Sequence, residues 1–396
     1  MDLKLLNSSV PDEEPDPEFP EVRRQRNRES YMDAVPDSGI GVRAVALLDI
    51  ELRTALSSVI AVSAIPAALR DYAPSRDHAA AAFYAEMRHT GTVQSIFPAP
   101  PPVRVRAAKI GRPRWAPKVD TIEMLSFKSP YTVHHQEIRA SYEAHTRNSV
   151  ARAMHWRHAD SPRPTIIVVH GFTGSPFWFN SNFFSLPWFY GHGCDVLLAV
   201  LPFHGKRNDR WGPYSGSGLF GGGVAYLNEA MFQSICDLRV LVDYLEDSGV
   251  EHVGITGLSL GGYLAALMAD VEPRLHVAIP NSAVTHFPSL LDSWFPAGYL
   301  AKAGLRLSKH DDNTLSDAMS VHSPLTFPSL LPRDRLFIIG GLADRLAPPD
   351  QSARLWEHWG APRIHWFPGS HILHVGRANY LREVGHFLRE TGFSPG

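Results

Sequence analysis

One serine lies between glycines in a pattern that is typical of nucleophilic serines. Ser259 is the central residue of the run Gly257-Leu258-Ser259-Leu260-Gly261. A β-branched segment at 252–256 precedes this run, and a segment with helical character at 263–268 follows it. A sharp turn from strand to helix projects such a serine above the sheet, and the glycines leave room for the neighbouring backbone. A glycine-rich turn whose serine caps a helix is the alternative, so the pattern needs support from the rest of the chain.

From about residue 120, apolar β-branched segments alternate with helical ones. Thr165–Val169 and Val196–Val200 are almost uniformly apolar, which is typical of strands buried on both faces of a parallel sheet. A long helical pattern covers 226–245, between the second of these strands and the strand before Ser259. This alternation predicts the α/β class, with a mostly parallel central sheet flanked by helices.

Two loops that end in a carboxylate and in a histidine extend the serine pattern. Gly340-Gly341-Leu342-Ala343-Asp344 follows the strand predicted at 336–339, and Pro368-Gly369-Ser370-His371 follows the strand predicted at 364–367. With Ser259 ahead of them, these motifs resemble the α/β-hydrolase superfamily, in which nucleophile, acid and histidine occur in that order. The resemblance implies an α/β-hydrolase fold in which Ser259, Asp344 and His371 form a catalytic triad.

The triad that the resemblance implies performs nucleophilic acyl transfer. His371 would take the proton of Ser259 during attack and later return a proton to the leaving group. Asp344 would fix the imidazole tautomer and stabilise the imidazolium. His374, three residues further on, is the competing base. Asp350 is the competing acid, although its position suits the start of a helix.

The superfamily also uses two backbone N–H groups to bind the negative charge of the tetrahedral intermediate. We expect the first from Leu260, directly after the nucleophile. We expect the second from the loop His170-Gly171-Phe172-Thr173-Gly174-Ser175, because the superfamily uses the residue after such a His-Gly pair. Phe172 is therefore the predicted second donor of the oxyanion hole, and Thr173 is its alternative.

Aromatic and apolar residues near these loops predict a substrate pocket. The aromatic segment at 177–190 is either a helix packed on the sheet or an apolar wall for an acyl chain. Residues 284–332 hold apolar pairs, and in the superfamily this position carries a lid that excludes water from the site. The pocket residues that we predict are Thr173, Phe177, Trp178, Trp294 and His374.

The residues before 120 lack the alternation of strands and helices. Prolines among acidic and basic residues fill 1–38, and a second proline-rich stretch covers 98–117. Two helices are predicted between them, at Val42–Leu69 and Asp77–His89. The predicted division of the chain is a flexible tail at 1–40, a helical extension with a proline-rich connector at 41–118, the hydrolase core at 119–283 and 333–396, and the lid insertion at 284–332.

The first predicted helix is apolar enough to raise the question of a membrane. Its uncharged stretch at 54–69 is shorter than the roughly 18–20 residues that span a bilayer, and Pro66 interrupts it. We expect this helix to pack on the main domain, with peripheral membrane contact through 42–69 as the alternative. The first 40 residues hold no apolar segment of a secretory signal. We therefore expect a cytoplasmic protein. Peripheral contact through 42–69 would make it membrane-associated.

Composition argues against several other classes of function. The net charge is −2 at pH 7 with histidine neutral, so no basic field predicts nucleic-acid binding. Cys194 and Cys236 lack C-x-x-C spacing, and no H-E-x-x-H motif occurs, so we expect neither a disulfide framework nor a zinc site. No glycine motif of a nucleotide-binding loop is present. We expect no metal ion and no organic cofactor, because the triad chemistry needs neither.

The sequence thus predicts a hydrolase of carboxylic esters, acting on a small molecule with an apolar acyl or alcohol part. Thioester or amide hydrolysis by the same triad, a non-catalytic binding or scaffold module, and a membrane-docked accessory protein are the alternatives. From about Phe127 onward the chain resembles the abhydrolase-domain-containing 18-like branch, in the Leu201-Pro202 loop, the Gly221-Gly222-Gly223 stretch and the run at 254–263. The fold permits many chemistries, so the acyl chain length, the oligomeric state and the pathway do not follow from the sequence.

Overall fold

The structure is a computed structural model that describes residues 35–36, 39–71, 74–174, 176–307 and 312–394. The flexible tail predicted at 1–40 falls almost entirely outside these residues. The strands of the described part are β1 (Arg106–Ile110), β2 (Thr121–Lys128), β3 (Val150–Arg157), β4 (Thr165–Val169), β5 (Asp195–Val200), β6 (Val253–Leu258), β7 (Leu275–Asn281), β8 (Phe337–Gly341) and β9 (Arg363–Phe367).

Helices cover much of the remaining described chain. They are α1 (Ile40–Asp71), α2 (Pro74–Thr90), α3 (Val93–Ile96), α4 (Gln136–Glu143), α5 (Phe177–Phe183), α6 (Leu186–Gly191), α7 (Gly223–Asp247), α8 (Leu260–Val271), α9 (Phe287–Leu290), α10 (Ala297–Leu307), α11 (Asp312–Ser320), α12 (Pro349–His358) and α13 (Arg377–Glu390). From β4 onward, helices follow most of the strands, which is the order that the alternating apolar segments predict.

The strands form one sheet in the order β1-β2-β3-β5-β4-β6-β7-β8-β9. Six neighbouring strands, β5, β4, β6, β7, β8 and β9, pair in parallel and form a parallel block. The remaining strands pair antiparallel, β1 with β2, β2 with β3, and β3 with β5 at the edge of the block. The carboxyl ends of parallel strands meet at one edge of a sheet. The loops after β4, β6, β8 and β9 therefore converge there, which is where ligands bind in open α/β sheets.

Both faces of the parallel block are covered by helices, and β4 shows why the strand is uniformly apolar. Every residue of β4 is buried. Because successive side chains of a strand point to opposite faces, Ile167 and Val169 pack into the cluster that contains residues of α7 and α8. Ile166 and Val168 pack into the second cluster, with residues of α6 and α13. The sheet is thus a central layer between two apolar layers.

The second proline-rich stretch, at 98–117, contains a strand. Arg106–Ile110 forms β1 and pairs in register with β2. The sheet therefore begins before residue 119, the predicted start of the core. Four of the five residues of β1 are exposed, so the strand depends on backbone hydrogen bonds and carries little apolar alternation. A strand of this kind gives the weakest sequence signal.

The aromatic segment at 177–190 forms two short helices, α5 and α6, rather than one. Ser185 separates them with a left-handed backbone, at φ 56°. Phe177, Phe184 and Trp188 pack against the second core cluster, whereas Trp178 is 53% exposed. Most of the segment therefore packs on the sheet, which is the first of the two interpretations of its aromatic residues.

The glycine two residues after Ser259 allows α8 to approach β4 closely. A Cβ atom on Gly261 would lie 2.0 Å from the carbonyl oxygen of Val169 and 2.7 Å from that of His170. Both neighbours are backbone atoms at the end of a buried strand, so neither can move aside cheaply. Gly261 is thus required by the close contact between α8 and β4.

We expect Gly261→Ala to destabilise the fold and Gly221→Ala to be tolerated. Overpacking a core contact typically costs about 1–3 kcal/mol. At Gly221 the added Cβ would meet its nearest neighbour at 3.5 Å, an ordinary contact, and φ is −62°. Urea unfolding of both variants measures the two free energies of unfolding. Equal values for the two variants would contradict the close contact between α8 and β4.

Candidate active site

Ser259 lies in a strained turn between β6 and α8. Its backbone angles are φ 59° and ψ −117°, a left-handed conformation that a non-glycine residue adopts at an energetic cost. The turn is held from both sides, because the Ser259 N–H donates to Asn281 O at 3.1 Å and the Val284 N–H donates to Ser259 O at 3.3 Å. The side chain is only half-buried, so the hydroxyl remains within reach of other groups at this edge.

His371 and Asp344 form a buried hydrogen-bonded pair. The distance between His371 Nδ1 and Asp344 Oδ2 is 2.7 Å, and the two residues are 4% and 0% exposed. The other carboxylate oxygen, Oδ1, accepts hydrogen bonds from the N–H groups of Leu346 at 2.9 Å and Ala347 at 2.8 Å. Three donors thus satisfy the buried carboxylate, which makes its burial tolerable.

The loops that carry this pair are bound directly to each other. After β8, the Leu342 N–H donates to Phe367 O at 2.9 Å, and the Ala343 N–H donates to Gly369 O at 3.0 Å. In the loop after β9, the Ser370 N–H donates to Leu373 O at 2.9 Å. These bonds fix the acid loop, which we define as residues 342–347, against the histidine loop, residues 368–375.

Burial and charge act in opposite directions on His371. Desolvation lowers its pKa, but the Asp344 carboxylate, the hydrogen bond to it and the charge of Asp49 outweigh this effect, so the pKa is raised above its ordinary value of 6.5. Because Nδ1 is bound by Asp344, Nε2 is the nitrogen left for proton transfer. In the described part of the chain, no hydrogen bond joins this nitrogen to the Ser259 hydroxyl, and catalytic hydrogen bonds of this kind often tighten only when substrate binds.

The competing candidates occupy different positions. His374 contacts the Tyr380 hydroxyl through Nδ1 at 2.7 Å and the His371 carbonyl through Nε2 at 3.1 Å. Burial, with smaller electrostatic contributions, lowers its pKa to about 4, so its ring is neutral near pH 7. Asp350 lies in the first turn of α12 and pairs with Arg354. Neither residue takes part in the buried pair, so the geometry favours His371 and Asp344.

The loop after β4 is oriented by a buried histidine. The Leu201 N–H donates to His170 Nε2 at 3.1 Å, so the imidazole proton lies on Nδ1, which donates to Gly171 O at 2.8 Å. Burial lowers the pKa of His170 to about 4, which keeps the ring neutral. A Cβ on Gly171 would lie 3.4 Å from Ser259 Cβ, so the loop passes beside the nucleophile turn.

This loop and α8 present the predicted oxyanion donors. Leu260 is the first residue of α8, where an N–H has no partner within the helix. The Phe172 N–H makes no backbone hydrogen bond within the described residues. Thr173, the alternative, adopts a left-handed backbone at φ 64°. The Phe172 ring packs edge-on against His204 and Phe220.

The predicted pocket residues are not all brought together. Trp294 donates its ring N–H to Leu346 O at 3.1 Å, and Thr173 lies in the loop beside Ser259. His374 lines a cavity of about 30 Å³ below the nucleophile turn, together with Phe183 and Asn281. Such a volume accommodates little more than a water molecule. Phe177 and Trp178 belong to α5, as described above.

Sequence reasoning missed one acidic residue of this region. Asp49, in α1, is buried, and its Oδ2 accepts a hydrogen bond of 2.6 Å from the Arg345 N–H, next to Asp344. A lone aspartate in an apolar helix gives no signal that would assign it to a site nearly 300 positions later in the chain. Across the residues that the structure describes, no cluster of three or more His, Cys, Asp or Glu side chains could hold a metal ion.

Comparison with solved structures relates the architecture to known folds. Acetyl xylan esterase 1 from a Thermoanaerobacterium species matches with a TM-score of 0.51 and 13% identity, over 80% of this chain and 93% of that chain. An acetyl xylan esterase from a Paenibacillus species matches with a TM-score of 0.53 and 14% identity, over 76% and 93%. At such low identity these matches show the fold alone. They confirm the predicted α/β-hydrolase fold, with helices around a mostly parallel sheet.

Comparison of sequences finds relatives at higher identity. No protein-family model matches the chain. The uncharacterized proteins Rv2627c and MT2702, from two strains of Mycobacterium tuberculosis, are each 31% identical over 320 residues, which cover 78% of this chain and 73% of each relative. Since this identity extends over most of both chains, the protein belongs to the same family as these two mycobacterial proteins, and it has the α/β-hydrolase fold.

Proposed function

We propose that the protein is a serine hydrolase that cleaves carboxylic esters of small molecules. The observation that carries the proposal is the buried His371–Asp344 hydrogen bond, at the sheet edge where the strained Ser259 also lies. Ser259 is the nucleophile, His371 the general base and Asp344 the group that orients and stabilises the imidazolium. The reaction forms an acyl-enzyme and then transfers the acyl group to water.

The protonation states favour this assignment. Asp344 accepts from Nδ1, so the neutral imidazole keeps its lone pair on Nε2 for the Ser259 proton. The raised pKa of His371 makes it a stronger base than a free histidine, at the cost of protonation at a higher pH. The base is therefore active above this pKa, and the reaction rate falls as the pH decreases through it.

Two backbone N–H groups stabilise the tetrahedral intermediate in this proposal. Leu260 supplies one from the start of α8, where the helix dipole also favours negative charge. Phe172 supplies the other, with Thr173 as the alternative. Preorganised donors of this type are worth about 2.7–4 kcal/mol each in the transition state.

The substrate is expected to carry an apolar portion. Large apolar side chains are partly exposed in α5, in the insertion and in the histidine loop, namely Trp178, Phe295, Tyr299 and Leu373. The same triad also hydrolyses thioesters and amides, which keeps these reactions as alternatives. A non-catalytic binding module has no need for a strained serine beside a buried acid–histidine pair, so we favour the enzyme. The likeness to the abhydrolase-domain-containing 18-like branch stays a prediction.

Hydrolysis of p-nitrophenyl esters tests the proposal. We expect the wild-type protein to hydrolyse esters between acetate and palmitate, and Ser259→Ala to reduce the rate to background, because no acyl-enzyme can form. The best chain length reports the depth of the pocket. Equal rates in both proteins would contradict the role of Ser259. If neither protein is active on these esters, a fluorophosphonate probe separates narrow specificity, in which Ser259 is still modified, from a scaffold role.

The two acid candidates predict different effects for Asp344→Asn and Asp350→Asn. Loss of the carboxylate that fixes the His371 tautomer should lower kcat by about 10⁴-fold, as in other serine triads. Asp350→Asn changes the same charge in the first turn of α12 and should leave kcat within about a factor of three. Steady-state kinetics on one ester measures both. A larger decrease in kcat from Asp350→Asn than from Asp344→Asn would identify Asp350 as the acid of the triad.

The outer face of α1 favours peripheral contact with a lipid surface as a second function. Ile40, Leu47, Val59 and Val62 are each more than half exposed, which is unusual for apolar residues on one helix. Among the described residues, no helix is both long enough and apolar enough to cross a membrane. We therefore propose contact that buries this face in the surface of a bilayer, without a spanning segment.

Sedimentation with phospholipid vesicles tests this contact. Val59→Glu and Val62→Glu add charge to the outer face of α1 and should each reduce the fraction of protein that pellets. Leu330→Glu is the matched control, because Leu330 is 48% exposed but lies outside α1, where its N–H donates to Ala269 O in the last turn of α8. Equal sedimentation of wild type and the α1 variants would dismiss the contact.

A further inference from the structure

A carboxylate from outside the hydrolase core lies beside the His371–Asp344 pair. Asp49 belongs to α1, yet it is only 2% exposed. Its Oδ2 binds the Arg345 N–H, as described above, and its Oδ1 makes no hydrogen bond with any described residue. A buried carboxylate oxygen without a partner is costly, so its retention calls for a physical reason.

Arg53, one turn further along α1, also binds the backbone of Arg345. Its Nη1 donates to the carbonyl oxygen of Arg345 at 2.9 Å. Residues four apart lie on one face of a helix, so Asp49 and Arg53 together hold the N–H and the C=O of Arg345. Arg345 directly follows Asp344, and the next two N–H groups bind Asp344 Oδ1. The two side chains thus fix the backbone that orients the acid.

A third polar residue extends this stripe to the insertion. Ser57, again one turn on, donates its hydroxyl to Trp294 O at 2.9 Å and accepts from the Ala297 N–H at 2.9 Å. The Trp294 ring in turn donates to Leu346 O in the acid loop. The stripe of Asp49, Arg53 and Ser57 therefore connects α1 with both the acid loop and the insertion.

We propose that α1 is a structural part of the active site and that Asp49 is a positioning residue, which holds the acid loop and places a second negative charge beside His371. The proposal rests on the hydrolase function proposed above and extends it to a residue of the N-terminal extension. In this arrangement two carboxylates stabilise the imidazolium that forms during attack, Asp344 in direct contact and Asp49 through its charge on α1.

The electrostatics agree with this geometry. Burial and the neighbouring Asp344 raise the pKa of Asp49, whereas the Arg345 N–H, the charge of His371 and the Ser370 hydroxyl lower it. The charge of Asp49 in turn acts to raise the pKa of His371. The titratable groups that interact with His371 are Asp344 on the acid loop, His374 on its own loop and Asp49 on α1, and the arginines Arg53 and Arg345 lie next to Asp49.

The sign of the effect follows from these groups. His374, with its pKa near 4, stays neutral at mildly acidic pH. Removing the Asp49 charge therefore leaves Asp344 alone to favour the imidazolium, and the pKa of His371 should decrease. The base then remains neutral, and active, at a lower pH than in the wild-type protein.

The test compares Asp49→Asn, Asp49→Glu and Glu51→Gln with the wild-type protein. The rate of inactivation by a fluorophosphonate is measured across mildly acidic and neutral pH. We expect the acidic midpoint of Asp49→Asn to move to lower pH, since asparagine keeps an acceptor for Arg345 but loses the charge. Asp49→Glu restores the charge and should stay closer to wild type. Glu51→Gln is the matched control, because Glu51 is an exposed residue of the same helix and should leave the midpoint in place.

A purely structural role would lower the inactivation rate of Asp49→Asn at every pH without moving the midpoint, and that result would overturn the electrostatic part of the proposal. NMR titration of ring-labelled histidine, with His371→Ala for assignment, measures the pKa of His371 without any reaction. If the probe never modifies Ser259, the proposed hydrolase function fails, and the NMR titration still decides the role of Asp49. An unchanged pKa of His371 in Asp49→Asn would refute that role.

Discussion

The hydrogen bond between His371 and Asp344 joins two loops that leave the sheet after neighbouring parallel strands. A carboxylate buried in an apolar setting is strongly destabilising unless hydrogen bonds replace its hydration. Asp344 meets this constraint with two backbone N–H groups and one imidazole N–H. The two N–H donors come from the acid loop itself, but the imidazole reaches Asp344 only where the acid loop and the histidine loop are bound to each other, so the geometry of the pair depends on the register of β8 and β9.

The buried polar side chains of α1 also need hydrogen-bond partners, and they lie on a helix whose apolar residues are largely exposed. In most surface helices the apolar face is buried and the polar face meets solvent. In α1 the buried residues include Asp49 and Ser57, while Leu47 and Val62 are mostly exposed. The helix is therefore held by specific polar contacts with the acid loop and the insertion, and less by burial of apolar area. Such contacts make its position sensitive to charge and leave an apolar surface for another partner.

Much of the core and the ordered motifs could be predicted from sequence because they follow strong local rules. Thr165–Val169 is a strand in the prediction and in the structure, because a uniformly β-branched and apolar segment strongly favours a buried strand. The loops that end at Asp344 and His371 were predicted from the superfamily order, and the structure brings these two side chains within 2.7 Å. The pairing with Ser259 is not made by a hydrogen bond within the described residues, so its role as nucleophile stays a proposal.

Other features depend on long-range contacts that leave no local pattern. Strand β1 is mostly exposed and is stabilised by backbone pairing with β2, so its side chains carry no alternation. The break between α5 and α6 depends on the left-handed backbone of Ser185, a residue type that does not by itself indicate this conformation. Asp49 becomes buried beside Arg345 only when α1 packs against the acid loop, and these two segments lie far apart in the sequence.

The measurement that tests the central claim most directly is the site of covalent modification by a fluorophosphonate, determined by intact-mass and peptide mass spectrometry. The account predicts one adduct per chain, on the peptide that contains Ser259, and no adduct on Ser259→Ala. An adduct on another serine, or equal labelling of the wild type and Ser259→Ala, would contradict the assignment of Ser259 as the nucleophile beside the His371–Asp344 pair.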